Sequence, residues 1–129
     1  MAISIDGTQV ASSAAQLDQK IITLPITLGT SATAYAVVPW GCKLVAAYSV
    51  IDAALSIADE TVALKNHAGS AMTGGTITIT QVGSAAGDID SVTPSANNSF
   101  ASGEMIQIAI GGENGTAVTA SLSLVFQVT

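Results

Sequence analysis

The stretch Val118–Val128, V-T-A-S-L-S-L-V-F-Q-V, alternates apolar and polar side chains over its whole length. Side chains of a β-strand point alternately to the two faces of a sheet, so this period of two predicts a strand with one buried face. The buried face would carry residues such as Leu124 and Phe126, and the solvent face Ser123 and Gln127. A strand of this kind needs further strands beside it.

The same alternation occurs at Glu104–Ile110, at Thr76–Thr80 and at Ile22–Leu28. Pro25 lies inside the last segment, and proline cannot donate to a sheet ladder. That strand is therefore predicted either to lie at a sheet edge or to be broken at Pro25. Weaker strand candidates are Tyr35–Val38, Lys43–Ile51, Glu60–Lys65 and Ile89–Thr93.

Lys43–Ile51 is ambiguous, because its apolar residues also fit one face of a helix. Its β-branched and aromatic residues favour a strand. Asp52–Asp59 then becomes a loop or a short helical turn. Gln81-Val82 indicates a register change or bulge after Thr80, and the run Gly111–Gly115 predicts a hairpin turn.

About seven or eight short strands with frequent turn signals are typical of an antiparallel β-sandwich or barrel. We predict an all-β fold, an antiparallel sandwich with jelly-roll or Greek-key-like connections, over residues 20–129. Residues 1–19 are small and polar, and we assign them to a short N-terminal arm. They are either a frayed terminus or an arm that lies on a neighbouring subunit. Their large apolar residues are Ile3, Ile5, Val10 and Leu17.

The charge balance excludes several classes of partner. The chain has a net charge of −6, and its only strongly basic residues are Lys20, Lys43 and Lys65. Nucleic-acid binding needs a basic stripe that releases phosphate counterions, so we expect no nucleic-acid partner. No stretch is continuously apolar enough for a membrane span, and we expect no membrane partner. The start, MAISIDGTQVASS, shows no signal peptide, so synthesis in the cytoplasm is expected.

No residue pattern predicts catalysis, and we expect the protein not to be an enzyme and to use no cofactor. Asp88 and Asp90 form a D-x-D pair that either ends a strand or contributes to a cation site; calcium needs more oxygen ligands than this pair offers. His67 is assigned to a turn. A thiol nucleophile made of Cys42 and His67 has no local motif in support, and no G-x-S-x-G elbow is present. We therefore assign no catalytic, cofactor or metal residue.

Trp40 lies between Pro39 and Gly41, where a strand is predicted to begin. It is either a core residue or an exposed aromatic anchor of the kind that dominates interface hot spots. Together with Tyr35 and Tyr48 it could also form a platform on which sugars stack.

Two segments, V-P-W-G-C-K-L-V-A-A-Y-S-V-I-D-A-A-L and G-G-T-I-T-I-T-Q-V-G-S-A-A-G-D, together with the short arm and the scarcity of charge, resemble small virion proteins of tailed bacteriophages. The similarity covers roughly residues 35–129. It implies a capsid decoration (cement) protein on the virion surface, partnered by the major capsid protein or other virion proteins, and a homo-oligomer, with a trimer favoured. Candidate interface residues are Ile3, Ile5, Val10, Leu17, Tyr35 and Trp40. The alternative is a tail-fibre, receptor-binding or carbohydrate-binding sandwich module.

Overall fold

The computed structural model of the protein describes residues 18–129, together with two short strands before them. Eleven β-strands are present in this part of the chain: β1 Ile3–Ile5, β2 Thr8–Ala11, β3 Gln19–Leu28, β4 Ala32–Val38, β5 Cys42–Ile51, β6 Glu60–Lys65, β7 Ala71–Ile79, β8 Ile89–Val92, β9 Ser99–Phe100, β10 Glu104–Ile110 and β11 Val118–Val128.

The two N-terminal strands form an antiparallel hairpin of their own, with Ile5 opposite Thr8. Leu17 and the other residues between β2 and Asp18 lie outside the described part of the chain. The assignment of residues 1–19 to an arm therefore stays a prediction.

Strands β3 to β11 form two antiparallel sheets. One sheet has the order β3-β11-β5-β8, with β9 also paired to β5, and the other has the order β4-β10-β6-β7. The described residues contain no helix. This arrangement confirms the predicted all-β antiparallel sandwich, with nine strands in its two sheets rather than seven or eight.

Most connections cross from one sheet to the other, and one prediction is corrected for this reason. Gly111–Gly115 does not form a hairpin turn, because β10 belongs to the four-stranded sheet and β11 to the five-stranded sheet. The true hairpin within a sheet is β6–β7, with its turn at Asn66–Gly69.

The core lies between the sheets and contains the apolar sides of all the long strands. In β11, every second residue from Val118 to Phe126 is buried, as the alternation predicts. Phe126 is fully buried and meets Phe100 edge-on, with the ring centroids 6.0 Å apart. Burying side chains of this size supplies the main driving force for folding, about 25 cal/mol per Å² of apolar surface.

Pro25 does not break its strand. β3 pairs with β11 without interruption from Gln19 to Leu28, and β3 is the outermost strand of its sheet. The edge alternative is therefore confirmed. Val128 N–H donates to Asp18 C=O at 2.7 Å, so even-numbered residues of β3 direct their backbone groups to β11. Pro25, at an odd position, has its nitrogen on the open side, where no ladder bond is lost.

Two ambiguous segments are also settled. Lys43–Ile51 is a strand, and Asp52–Asp59 is a loop without helical turns. Val45 is an extra residue opposite the Val125–Phe126 step of β11, where the register shifts. The expected irregularity at Gln81-Val82 is not a bulge, because β7 ends at Ile79 and these residues begin a loop.

Candidate functional surfaces

The carboxylates Asp88 and Asp90 lie where β8 begins in the five-stranded sheet. Asp90 is half-buried and opposite Ser49 of β5. Burial raises the pKa of Asp90 above its ordinary value, and the negative charge of Asp88 adds to the effect. Ser49 is fully buried, and its hydroxyl has no hydrogen-bond partner among the described residues. No cluster of three or more metal-ligating side chains occurs in this part of the chain.

Cys42 and His67 lie in different environments. Cys42 is buried in the core side of β5, and burial raises the pKa of its thiol, which works against a thiolate nucleophile. His67 is an exposed residue of the β6–β7 turn, as predicted. Its Nε2 lies 2.9 Å from Glu104 Oε2, so its polar partner is a carboxylate of β10. The sequence hypothesis of a Cys–His nucleophile gains nothing from this arrangement.

Glu60 is the one acidic residue whose side chain is fully buried among the described residues. Its Oε2 accepts the Gly29 N–H at 2.8 Å, and its Oε1 accepts the N–H groups of Gly112 at 2.7 Å and Thr61 at 3.1 Å. Burial tends to raise the pKa of Glu60, but hydrogen bonds from the Glu113 carboxyl and from these amides outweigh burial and lower the pKa. Glu60 therefore joins the β3–β4 turn to the β10–β11 loop.

Asn114 joins a third loop, β5–β6, to the β10–β11 loop. It is fully buried, and its Oδ1 accepts the N–H groups of Ser56 at 3.1 Å and Ile57 at 3.0 Å. Its Nδ2 donates to the Thr116 carbonyl at 2.7 Å. These bonds fix the β5–β6 loop against the β10–β11 loop. Satisfied buried polar groups of this kind specify one arrangement of loops that lack regular structure.

The three aromatic candidates are dispersed. Trp40 is half-buried and rests on Phe126, with ring centroids 6.3 Å apart, so part of its surface belongs to the core. Tyr35 is 62% exposed on the four-stranded sheet, and Tyr48 is 44% exposed on the five-stranded sheet. These two tyrosines point away from opposite sides of the sandwich. They cannot combine into one sugar platform, which corrects that sequence hypothesis.

The outer side of the five-stranded sheet, here called the five-stranded face, forms a broad surface on which Lys43, opposite Gln127, is the one charged residue of the paired rows. Cross-strand register places its residues in rows, such as Thr23, Ser123 and Tyr48. The Thr23 and Ser123 hydroxyls are 3.2 Å apart. Besides the row of Gln19, Gln127 and Lys43, its members include Ile21, Thr23, Pro25, Thr27, Ala46, Tyr48, Val50, Ile89, Ser91, Thr119, Ser121, Ser123 and Val125.

The outer side of the four-stranded sheet, here called the four-stranded face, is similar in character. Small and β-branched side chains dominate it, and Lys65 is the one charged residue within its paired rows. Tyr35 and Val37 are its most exposed large residues, at 62% and 64%. Both belong to β4, the outermost strand on that side.

Within the described part of the chain there is no enclosed pocket. The same residues include no helix of the length and hydrophobicity that a membrane span requires.

The sequence matches no protein-family model and no curated protein. Solved structures with a similar fold include proteins of two different kinds. A carbohydrate-binding module, CsCBM6-3 from Clostridium stercorarium in complex with cellobiose, is 16% identical with a TM-score of 0.54, over 87% of this chain and 83% of that chain. A chain of the cyanophage Pam1 capsid asymmetric unit is 10% identical with a TM-score of 0.55, over 99% of both chains.

A third similar structure is the acidic stable capsid of Helicobacter pylori bacteriophage KHP30, at 10% identity and a TM-score of 0.50, over 85% of this chain and 93% of that chain. At these identities the likeness establishes the β-sandwich fold. The structural neighbours thus include phage capsid proteins and carbohydrate-binding modules alike.

Proposed function

We propose that this chain is a non-enzymatic structural protein of a bacteriophage virion, which binds the outer surface of the assembled capsid as a decoration (cement) protein. The observation that carries the proposal is a rigid sandwich with two broad, charge-poor outer faces. The end-to-end similarity in fold to a chain of the cyanophage Pam1 capsid supports it. The resemblance of the sequence to small virion proteins is consistent with the same role.

The molecule meets the physical requirements of a decoration protein. A protein that binds only the assembled shell stabilises that shell by mass action and needs no reactive groups. Burying an unpaired charge is costly, and faces made mostly of Thr, Ser and Ala can lie against another protein with only one lysine each to accommodate. A net charge of −6 also keeps the protein from binding the packaged nucleic acid.

Contact with the major capsid protein or with a sister subunit is assigned to the arm, residues 1–19, with Ile3, Ile5, Val10 and Leu17, and to Tyr35 and Trp40 of the sandwich. Trp40 is half-buried, so it would contribute only the part of its ring that leaves the core.

The test is sedimentation of the purified chain with empty shells assembled from the major capsid protein of the same phage. We expect the chain to pellet with shells and not with unassembled capsid protein. A chain that stays in the supernatant would contradict the decoration role. A variant lacking residues 2–17 separates the arm from the sandwich: undiminished binding by this variant would refute the role given to the arm.

A carbohydrate-binding or tail-fibre module is the second candidate. The similarity to CsCBM6-3, solved with cellobiose, favours it, and a sugar would then stack on a single exposed ring, that of Tyr35 or that of Tyr48. Titration of the chain with β-glucan and xylan oligosaccharides, followed by Trp40 fluorescence and by calorimetry, tests this candidate. Saturable binding would support it. No heat and no spectral change, together with binding to shells, would leave the decoration role alone.

A further inference from the structure

The four outermost strands of the two sheets differ in how they are protected from pairing with another chain. An exposed edge strand carries unpaired N–H and C=O groups, which proteins block with proline, charge, short length or a covering segment. β3 has Pro25 on its open side. β8 has only four residues, including Asp90. β7 is covered by the segment after β8, through the Thr73–Ala96 bridge.

Among the described residues, nothing protects β4 in any of these ways. It has seven residues, A-T-A-Y-A-V-V, without charge, proline, glycine or register shift, and among the described residues it pairs only with β10. The Gly103 N–H donates to Val38 C=O at 2.8 Å, so even-numbered residues of β4 direct their backbone groups to β10. The backbone N–H and C=O groups of the odd-numbered residues then point away from β10. These residues are Thr33, Tyr35 and Val37, and their side chains are exposed.

We propose that β4 is a self-association edge, on which β4 of a second copy of this chain docks antiparallel about a two-fold axis at Tyr35. The proposal is independent of the capsid role. Such a contact would join the four-stranded sheets of the two copies into one continuous sheet.

The residue order of β4 suits a second copy better than an unrelated strand. Antiparallel pairing centred on Tyr35 places Thr33 opposite Val37, two β-branched residues, and Ala34 opposite Ala36. In that register Thr33, Tyr35 and Val37 of each copy donate one N–H and accept one at C=O, so no outward group stays unpaired. The edge is uncharged, and hence the net charge of −6 produces no direct repulsion at the contact.

The size of the edge sets the expected strength. Seven residues span about 24 Å, and a contact about 10 Å deep covers roughly 240 Å² per copy, well below the ~800 Å² per partner of a standard stable interface. The dimer should therefore be weak and concentration-dependent. A two-fold dimer also differs from the trimer that the sequence resemblance implies, so the native mass distinguishes the two.

The experiment is light scattering on the full chain over a series of concentrations up to the solubility limit, because a contact this small forms only a weak dimer. We expect a dimer at the top of the range. Tyr35→Lys places two ammonium groups opposite each other at the two-fold axis, so it should weaken dimerisation about tenfold or more. Tyr48→Lys, on the five-stranded face, should not weaken dimerisation. Unchanged circular dichroism of both variants would show that they fold.

Cross-linking provides a second measurement, which uses the unsubstituted protein and so does not depend on whether a variant folds. One-electron oxidation should join Tyr35 of one copy to Tyr35 of another as dityrosine, located by mass spectrometry. Tyr35→Phe should abolish this product, and Tyr48→Phe should leave it. A monomer at every concentration, a trimer, or a dimer unaffected by Tyr35→Lys would overturn the proposal.

Discussion

Replacing Glu60 by glutamine tests whether this buried carboxylate holds the loop end of the sandwich together. Glutamine keeps the shape but turns one acceptor oxygen into an NH₂ donor. That donor then faces either the Gly29 N–H or the Gly112 N–H, whose present bonds are 2.8 and 2.7 Å long. A hydrogen bond to a charged group contributes about 1.5–3 kcal/mol, and an unpaired buried donor costs about 1–3 kcal/mol. We expect Glu60→Gln to lower the free energy of unfolding by about 2–3 kcal/mol.

Urea denaturation at pH 7, with the slope held common between variants, measures this change. Asp59→Asn is the matched control, because Asp59 is the adjacent carboxylate but is exposed and accepts only the Gln81 N–H, at 2.8 Å. Its effect should stay within about 0.5 kcal/mol. A Glu60→Gln variant as stable as the Asp59→Asn variant would refute the reasoning.

The pH dependence of stability shows whether the negative charge of Glu60 stabilises the folded protein. Its pKa in the folded protein is lower than the ordinary value of 4.5, so the folded state favours the ionised form. The stabilisation is therefore present above the ordinary pKa and is lost as the pH falls through the lowered pKa. The difference between wild type and Glu60→Gln should shrink as the pH is reduced below 4.5. A difference independent of pH would show that charge is not its cause.

Three further predictions concern other parts of the fold. Asp90→Asn should modestly stabilise the protein at pH 7 and lose this effect below the ordinary pKa of 3.8, because the raised pKa of Asp90 means that folding opposes its ionised form; equal denaturation midpoints at pH 7 would contradict this. Asn114→Ala removes four hydrogen bonds to part-buried loop groups and should cost about 2–4 kcal/mol by urea denaturation. A loss below about 0.5 kcal/mol would show that these bonds do not stabilise the loops. Gly29→Ala should lower the melting temperature more than Gly83→Ala. Both glycines have positive φ, but a Cβ at Gly29 would collide with the Thr116 carbonyl, whereas Gly83 faces open space. Similar melting temperatures for the two variants would contradict the close approach at Gly29.

The strands could be predicted from the sequence because each carries its own signal. Alternation at Val118–Val128 and Glu104–Ile110 reports one buried face, and the structure places strands over those same ranges. Pro25 predicted an edge or a break because it lacks a donor, and the edge is what the ladder with β11 allows.

The connections could not be predicted in the same way. Glycine and asparagine at Gly111–Gly115 indicate that the chain turns there, but local turn chemistry does not state which sheet receives the next strand. β10 and β11 lie in different sheets. Which sheet β11 joins depends on its pairing with strands that are distant in the sequence, and the loop before it carries no signal for that pairing. The predicted hairpin was wrong for this reason.

The role of Glu60 was also missed, although one signal was available. The alternation in E-T-V-A-L-K puts Glu60 on the same side as Val62 and Leu64, which predicts a carboxylate that points into the core. Its amide partners are 31 and 52 residues away in the chain, so they could not be found from spacing. The exposed positions of Tyr35 and Tyr48 likewise depended on which sheet each strand joined.

The most direct test of the decoration role is an electron cryo-microscopy reconstruction of the virion to which the proposed function assigns this chain. The account predicts density for a two-sheet sandwich on the outer surface of the capsid, into which residues 18–129 fit with β4 at a contact between copies. Density for the chain at the tip of a tail fibre, or a particle from which the chain is absent, would contradict the account.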